Sequence, residues 1–121
     1  MESTTYQLNY VRVGSTDLQR SKEFYGEVLG LPIITENIKR GYLLFEMSGV
    51  TLIVERSTPE DPELPPNRYL GISIKVRNIN EFYKALTAQG VVFSQPPEKQ
   101  FWGGYLTEFE DPDGNVWTLL G

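Results

Sequence analysis

The sequence predicts an α+β fold in which two βαβββ modules lie in one chain and a helix covers one face of each sheet. The same order of strand-like and helix-like segments occurs twice, about 60 residues apart. A stretch with four of the eight prolines, residues 57–68, separates the copies and predicts an extended connection. A length of 121 residues suits one domain, with module one at about 5–56 and module two at about 69–121.

Module one begins with Gln7–Val13, where apolar and polar residues alternate as in a strand. Thr16 followed by Gln19 has the spacing of a helix N-cap with its third-position partner, and Gly30 is expected to end that helix. The remaining three strands of the module are predicted at residues 31–36, 42–47 and 51–55.

Module two repeats this order, beginning with a predicted strand at Tyr69–Val76. Asn78 followed by Glu81 has the capping spacing, and Gly90 is expected to end the second helix. Three further strands are predicted at residues 91–95, 105–110 and 116–120, with a tight turn at 111–114 between the last two.

Alternation along the predicted strands assigns their side chains to two faces. Val11 and Val13 are expected to face the helix, which leaves Tyr10 and Arg12 on the opposite face. In module two the opposite face receives Ser73, Lys75 and Thr118. Because these uncovered faces mix polar, aromatic and small residues, they are typical of a cavity and not of a second core.

Composition excludes several functions. The chain has no Cys and no His, so Ser–His–Asp catalysis, Cys–His catalysis and thiolate metal sites are excluded. A net charge of −5 disfavours nucleic acid and anionic membranes as partners. No apolar run is long enough to span a bilayer, and the first ten residues do not resemble a signal peptide, so a cytoplasmic location is expected.

Two segments resemble signatures of a known family. Asp17-Leu18, Phe24-Tyr25 and Leu29-Gly30-Leu31 resemble the first-helix signature of the vicinal oxygen chelate superfamily, which groups glyoxalases, extradiol dioxygenases and bleomycin-binding resistance proteins. Residues 101–105 and 109–115 resemble its C-terminal signature. The resemblance covers nearly the whole chain. It implies that the paired modules form a cup-shaped curved sheet that is completed in a homodimer.

The resemblance also implies where the metal of the enzymes would lie, on the first and last strands of each module. These positions correspond to Tyr10 (or Leu8), Glu55, Gly71 and Thr118. One carboxylate with a phenol and a hydroxyl is a poor site for Zn²⁺, Ni²⁺ or Fe²⁺, so neither a resident metal nor another cofactor is expected. A hard cation such as Mg²⁺, held weakly near Glu55, stays open as an alternative.

The candidate ligand-binding residues lie on the uncovered faces and in one loop. Phe101 and Trp102, next to two glycines, offer rings for stacking, or else they pack at a sheet edge or against a second subunit. Arg12 and Lys75 would favour an acidic ligand if they shared one concavity, unless Glu55 or Glu108 pairs with them. The full set is Tyr10, Arg12, Glu55, Lys75, Phe101, Trp102 and Thr118.

Other conspicuous residues are predicted to be structural. Phe24, Tyr25 and Trp117 occur at core spacing. The acidic run from Glu108 to Asp113 resembles a metal cluster only in composition, and a solvated end of a hairpin is the preferred interpretation.

Three functions stay open. The preferred hypothesis is a homodimer that sequesters a small organic molecule, without a metal and without catalysis. The second is a lyase, isomerase or dioxygenase that uses Glu55 as a base, with a weakly held cation. The third is a non-catalytic dimerisation or regulatory module whose cup is filled by its own side chains.

Overall fold

The computed structural model describes residues 5–121 and contains two sheets with the same strand order, which confirms the predicted α+β class. Sheet one has the order β1-β4-β3-β2, and sheet two has the order β5-β9-β8-β6 with β7 beside β8. The pairs β1–β4 and β5–β9 are parallel, and all other pairs are antiparallel. The strands are β1 Tyr10–Ser15, β2 Ile33–Asn37, β3 Tyr42–Met47, β4 Val50–Arg56, β5 Tyr69–Lys75, β6 Val92–Phe93, β7 Glu98–Lys99, β8 Tyr105–Glu110 and β9 Val116–Leu120.

The first helix begins one residue later than predicted. Helix α1, Leu18–Lys22, is capped by Asp17, whose carboxylate accepts a hydrogen bond from the backbone N–H of Arg20. Thr16 instead donates from its backbone N–H and its hydroxyl to Asp113. The N-cap prediction at Thr16 was therefore wrong by one residue, because Asp113 of the distant β8–β9 turn takes the threonine hydroxyl.

Helix α1 continues directly into a π-helical segment, Glu23–Val28, which the periodicity did not predict. The backbone N–H of Leu29 donates to the carbonyl of Phe24 over 2.9 Å, five residues back. The wider turn lets the consecutive rings of Phe24 and Tyr25 both face the core. The segment ends before Gly30, whose φ of 74° suits glycine.

Helix α2, Ile79–Ala88, follows its prediction closely. The side chain of Asn78 accepts a hydrogen bond from the backbone N–H of Glu81, as the capping spacing indicated. Gly90 follows the helix with a φ of 89°. The helices within residues 5–121 are too short or too polar to span a bilayer.

One core lies between the helix-side faces of the two sheets. The ring of Tyr25 lies 5.9 Å from the ring of Phe45 in sheet one and 6.0 Å from the ring of Trp117 in sheet two. The π-helical segment therefore packs against both sheets, and the prediction that Phe24, Tyr25 and Trp117 are core residues is confirmed. Val13 is fully buried and Tyr10 is exposed, so the two predicted faces of β1 are also confirmed.

A buried polar cluster joins this core to the β8–β9 turn. The Tyr25 hydroxyl donates to Asp111 Oδ2 over 2.6 Å and accepts from Trp117 Nε1 over 3.0 Å. Asn115 Nδ2 donates to Asp111 Oδ2 and to the carbonyl of Gly14 in β1, both over 2.9 Å. We call Tyr25, Asp111, Asn115 and Trp117 the polar cluster.

The burial of Asp111, which is only 5% exposed, contradicts the prediction of a solvated hairpin end. Its Oδ1 accepts from the backbone N–H groups of Asp113 and Asn115. Burial raises the pKa of Asp111 above the ordinary 3.8, and the hydrogen bonds from Tyr25 and Asn115 partly offset that rise. Burial, together with the Asp111 carboxyl, raises the pKa of Tyr25 well above 10.

The proline-rich connection is folded onto β1, which corrects its prediction as an extended segment. The Ser57 hydroxyl donates to the carbonyl of Leu64 over 2.5 Å, and Asp61 accepts from the backbone N–H groups of Glu63 and Leu64. A Cβ atom on Gly14 would lie 2.3 Å from the Leu64 carbonyl oxygen. Glycine at position 14 therefore allows the connection to lie against the strand.

Replacement of Tyr25 by Phe is expected to lower the free energy of unfolding by about 1–3 kcal/mol, because it leaves the buried Trp117 Nε1 without its acceptor and removes one donor from Asp111. Urea denaturation followed by circular dichroism measures the change.

Tyr83→Phe is the matched control, since the Tyr83 hydroxyl makes no side-chain hydrogen bond to any residue between 5 and 121. Equal stabilities for the two variants would contradict a stabilising role for the polar cluster.

Candidate functional site

The outer face of sheet one carries three of the predicted ligand-binding residues. Arg12 pairs with Ile53 of β4, and Ile53 pairs with Leu44 of β3, so these three side chains form a row across the sheet. Ile53 and Leu44 are half-buried and form an apolar floor. The Arg12 face comprises Tyr10, Arg12, Tyr42, Leu44, Glu46, Thr51, Ile53 and Glu55.

Arg12 and Glu55 form a bidentate ion pair on this face. Arg12 Nε donates to Glu55 Oε1 over 2.7 Å, and Arg12 Nη2 donates to Glu55 Oε2 over 2.9 Å. The two side chains are 35% and 31% exposed, so a ligand could reach the pair. The hydrogen bond to Glu55 raises the pKa of Arg12 further above its ordinary value. The pair is therefore a planar, bidentate salt bridge whose two charges cancel.

The outer face of sheet two carries Lys75 and Thr118. Thr118 lies in register with Ser73 on one side and with Glu108 on the other. Its hydroxyl shares a hydrogen bond of 3.1 Å with the hydroxyl of Tyr69. Lys75 is exposed and forms no ion pair with a side chain of residues 5–121. This face therefore offers hydroxyls, one carboxylate and one ammonium group.

Phe101 and Trp102 form the tip of the β7–β8 hairpin. Backbone hydrogen bonds from Gln100 to Gly104 and from Gly103 to Gln100 close the turn. Phe101 is 98% exposed and Trp102 is 55% exposed, with their ring centres 5.2 Å apart in an edge-to-face arrangement. We call these two residues the aromatic tip. Its exposure contradicts the alternative that the rings pack on the sheet edge of their own chain.

The structure brings together only part of the predicted set. Arg12 and Glu55 meet, which is the pairing that sequence reasoning held open as the alternative to a cationic concavity. Within residues 5–121, no hydrogen bond, ion pair or aromatic contact connects the Arg12 face with Lys75, Thr118 or the aromatic tip. Leu44, Ile53 and Tyr69 were missed, although strand alternation alone assigns Leu44 and Ile53 to the outer face.

The family's metal positions do not fit a transition metal. Both oxygens of Glu55 accept from Arg12, the Thr118 hydroxyl is engaged with Tyr69, and Gly71 has no side chain. Between residues 5 and 121 no three His, Cys, Asp or Glu side chains lie together as metal ligands would. The donor set therefore lacks the nitrogen or multiple carboxylate ligands that such ions need.

A family model and a solved structure identify one family. The family model of the glyoxalase/bleomycin resistance protein/dioxygenase superfamily matches residues 7–119. A superfamily member from Sphaerobacter thermophilus DSM 20745 is 32% identical, with a TM-score of 0.79 over 95% of this chain and 96% of that one. TnmS3, an antibiotic binding protein from Streptomyces sp. CB03234, is 24% identical, with a TM-score of 0.79 over 98% and 97%. The uncharacterised protein YraH of Bacillus subtilis (strain 168) is 28% identical over 91% of this chain and 94% of its own.

The Arg12–Glu55 pair is expected to contribute about 1 kcal/mol of coupling to stability, the upper end for partly exposed pairs, because both hydrogen bonds are well placed. A double-mutant cycle with Arg12→Met, Glu55→Gln and the double variant measures it by urea denaturation.

The Lys22–Glu36 pair, a single contact of 2.8 Å between side chains that are 37% and 40% exposed, is the control cycle. Its coupling is expected to be smaller. A coupling for Arg12–Glu55 no larger than this control would show that the bidentate geometry does not persist in solution.

Proposed function

This chain belongs to the glyoxalase/bleomycin resistance protein/dioxygenase superfamily, and we propose from that premise that it binds and sequesters a small, flat, uncharged organic molecule. Binding takes place in a homodimer, without a metal and without chemical change of the ligand. The observation that carries the proposal is the bidentate Arg12–Glu55 pair beside the apolar floor of Ile53 and Leu44.

The Arg12–Glu55 pair argues against the acidic ligand that the sequence favoured. A free Arg12 would attract an anion, but Glu55 already satisfies its Nε and Nη2 donors and cancels its charge. A guanidinium held flat by a carboxylate still offers its face to an aromatic ring. An uncharged aromatic ligand therefore gains stacking and apolar contact here without having to break the ion pair.

The aromatic tip is proposed to supply a second stacking surface. Phe101 is 98% exposed and Trp102 is 55% exposed, so both rings present apolar surface that a ligand can reach. Gly104 permits the position of the Trp102 ring, because a Cβ atom there would lie 2.7 Å from Trp102 Nε1. TnmS3 provides a precedent for antibiotic binding by a protein of this fold.

The homodimer is proposed from the edges of the two sheets. β1 and β5 are terminal strands within the described part of the chain. Leu8, Tyr10 and Tyr69 lie at or near these strands and expose apolar surface, at 65%, 49% and 60%. Unpaired strand edges beside exposed apolar side chains favour association with another chain.

The enzyme hypothesis requires a different state of Glu55. As a general base or a cation ligand, its carboxylate would have to leave Arg12, which would lose two hydrogen bonds. The superfamily includes dioxygenases in its name, so this alternative needs its own test.

Replacement of Trp102 by Ala is expected to weaken binding of 1-naphthol, a flat uncharged probe, by about 3- to 10-fold, because one stacking surface is lost. The melting temperature should hardly change, since the ring is exposed. Fluorescence quenching reports binding in the parent protein, where Trp102 is accessible and Trp117 is buried, and calorimetry measures the affinity of the variant.

Tyr6→Ala removes another exposed ring outside the proposed site and serves as the control. Unchanged affinity in Trp102→Ala would contradict the stacking role, and a large loss of stability would show that the ring is structural. Analytical ultracentrifugation of the same samples should show dimers, and a monomeric parent protein would contradict the homodimer.

Equilibrium dialysis against Mg²⁺, Mn²⁺, Fe²⁺, Ni²⁺ and Zn²⁺ is expected to leave less than about 0.1 metal ion per chain, because the family positions lack suitable free donors. Elemental analysis of protein purified without chelator measures it. A stoichiometric metal that is lost in Glu55→Gln would overturn the binding-only proposal in favour of an enzyme.

A further inference from the structure

A concave site lies on the side of sheet one opposite the Arg12 face, between helix α1 with its π-helical segment and the strands β2 and β3. The cavity has a volume of about 290 Å³. Leu31, Ile33 and the ring of Phe45 provide its apolar surface. We call it the α1 groove, and its lining consists of Gln19, Lys22, Glu23, Gly26, Glu27, Leu31, Ile33 and Phe45.

Gly26 opens this groove. A Cβ atom at position 26 would lie 3.6 Å from Phe45 Cε1, an ordinary contact, so any larger side chain would extend over the ring. Glycine within a helix costs about 1 kcal/mol relative to alanine, and π-helical turns are rare and frequently mark functional sites. Two unfavourable local features therefore coincide where the helical segment borders this cavity.

The charge at the mouth of the groove is negative. Glu23 and Glu27 are exposed, and neither forms an ion pair with another side chain of residues 5–121. The ammonium group of Lys22 is held 2.8 Å from Glu36 Oε1, so its charge is already compensated. The helical segment ends at Val28, and the carbonyl end of a helix adds partial negative charge.

We propose that the α1 groove binds a small organic cation with an apolar body, such as an arylalkylammonium ion. The ammonium group would lie between the Glu23 and Glu27 carboxylates, and the apolar body would cover Leu31, Ile33 and the edge of Phe45. This ligand class differs from that of the Arg12 face, so one subunit would hold two ligands of different charge on opposite sides of the same sheet.

The test uses three probes of similar shape: phenethylammonium, 2-phenylethanol and 3-phenylpropionate. Two-dimensional NMR of the full chain should show saturable shifts for the amides of Gly26, Leu31 and Ile33 with the ammonium ion, and weaker binding of the alcohol and the carboxylate. The double variant Glu23→Gln/Glu27→Gln is expected to bind phenethylammonium about tenfold more weakly, because both nearby carboxylates are lost. Gly26→Leu should abolish binding by filling the groove.

Glu60→Gln/Glu98→Gln changes the net charge equally at exposed positions outside the groove and should bind as the parent does. Trp102→Ala should also leave this binding unchanged, which separates the groove from the proposed function. Equal affinity for the alcohol and the ammonium ion, undiminished binding in the Glu23/Glu27 variant, absence of saturable binding, or shifts confined to the Arg12 face would each overturn the proposal.

Discussion

The polar cluster around Asp111 is the constraint on which the rest of the structure depends. A buried carboxyl group is costly unless donors surround it, and Asp111 receives hydrogen bonds from Tyr25, Asn115 and two backbone N–H groups. These partners belong to the π-helical segment and to the turn before β9, so the cluster joins the two halves of the chain. Asn115 extends the connection to the carbonyl of Gly14 in β1. Because Gly14 is two residues from Arg12, the same hydrogen bonds fix the strand that carries the candidate site.

Local patterns predicted most of the elements, but not this cluster. Alternation and capping spacing identified both helices and the longer strands, since periodicity reflects which face is buried. A solvated hairpin end was predicted at Asp111-Pro112-Asp113-Gly114, because the composition of this segment is typical of exposed turns. Its burial depends on Tyr25, which is 86 residues away in the chain. A similar long-range contact, between Thr16 and Asp113, moved the N-cap of α1 by one residue. Neither contact has a signature in the adjacent sequence.

The candidate site could be predicted by position but not by charge. Alternation placed Tyr10 and Arg12 on the outer face, and the loop that carries Phe101 and Trp102 was identified, although packing of these rings on the sheet edge stayed open as an alternative. Whether Arg12 is free or paired depends on the parallel register of β1 and β4. In that register Arg12 pairs with Ile53 and Gly14 pairs with Glu55, so Glu55 lies on the same face as Arg12 and within hydrogen-bond distance of it. Sequence alone left that register uncertain. In the proposed function the pairing sets the ligand class, because an accessible guanidinium would attract anions, whereas the neutral bidentate pair would favour flat uncharged molecules.

Strand β3 takes part in both of the proposed ligand sites, one on each face of sheet one. Consecutive residues of a strand point to opposite faces, so Leu44 lies in the floor of the Arg12 face while Phe45 lies beneath the α1 groove. The two environments then differ in charge because their neighbours differ. Arg12 and Glu55 neutralise each other on one side, whereas Glu23 and Glu27 have no such partner within the described residues on the other. Phe45 also packs against Tyr25, which binds Asp111, so the groove rests on the polar cluster as the Arg12 face does. In both proposed sites the apolar surface belongs to strands that are tied to the polar cluster, and such preorganisation would lower the entropic cost of binding a ligand.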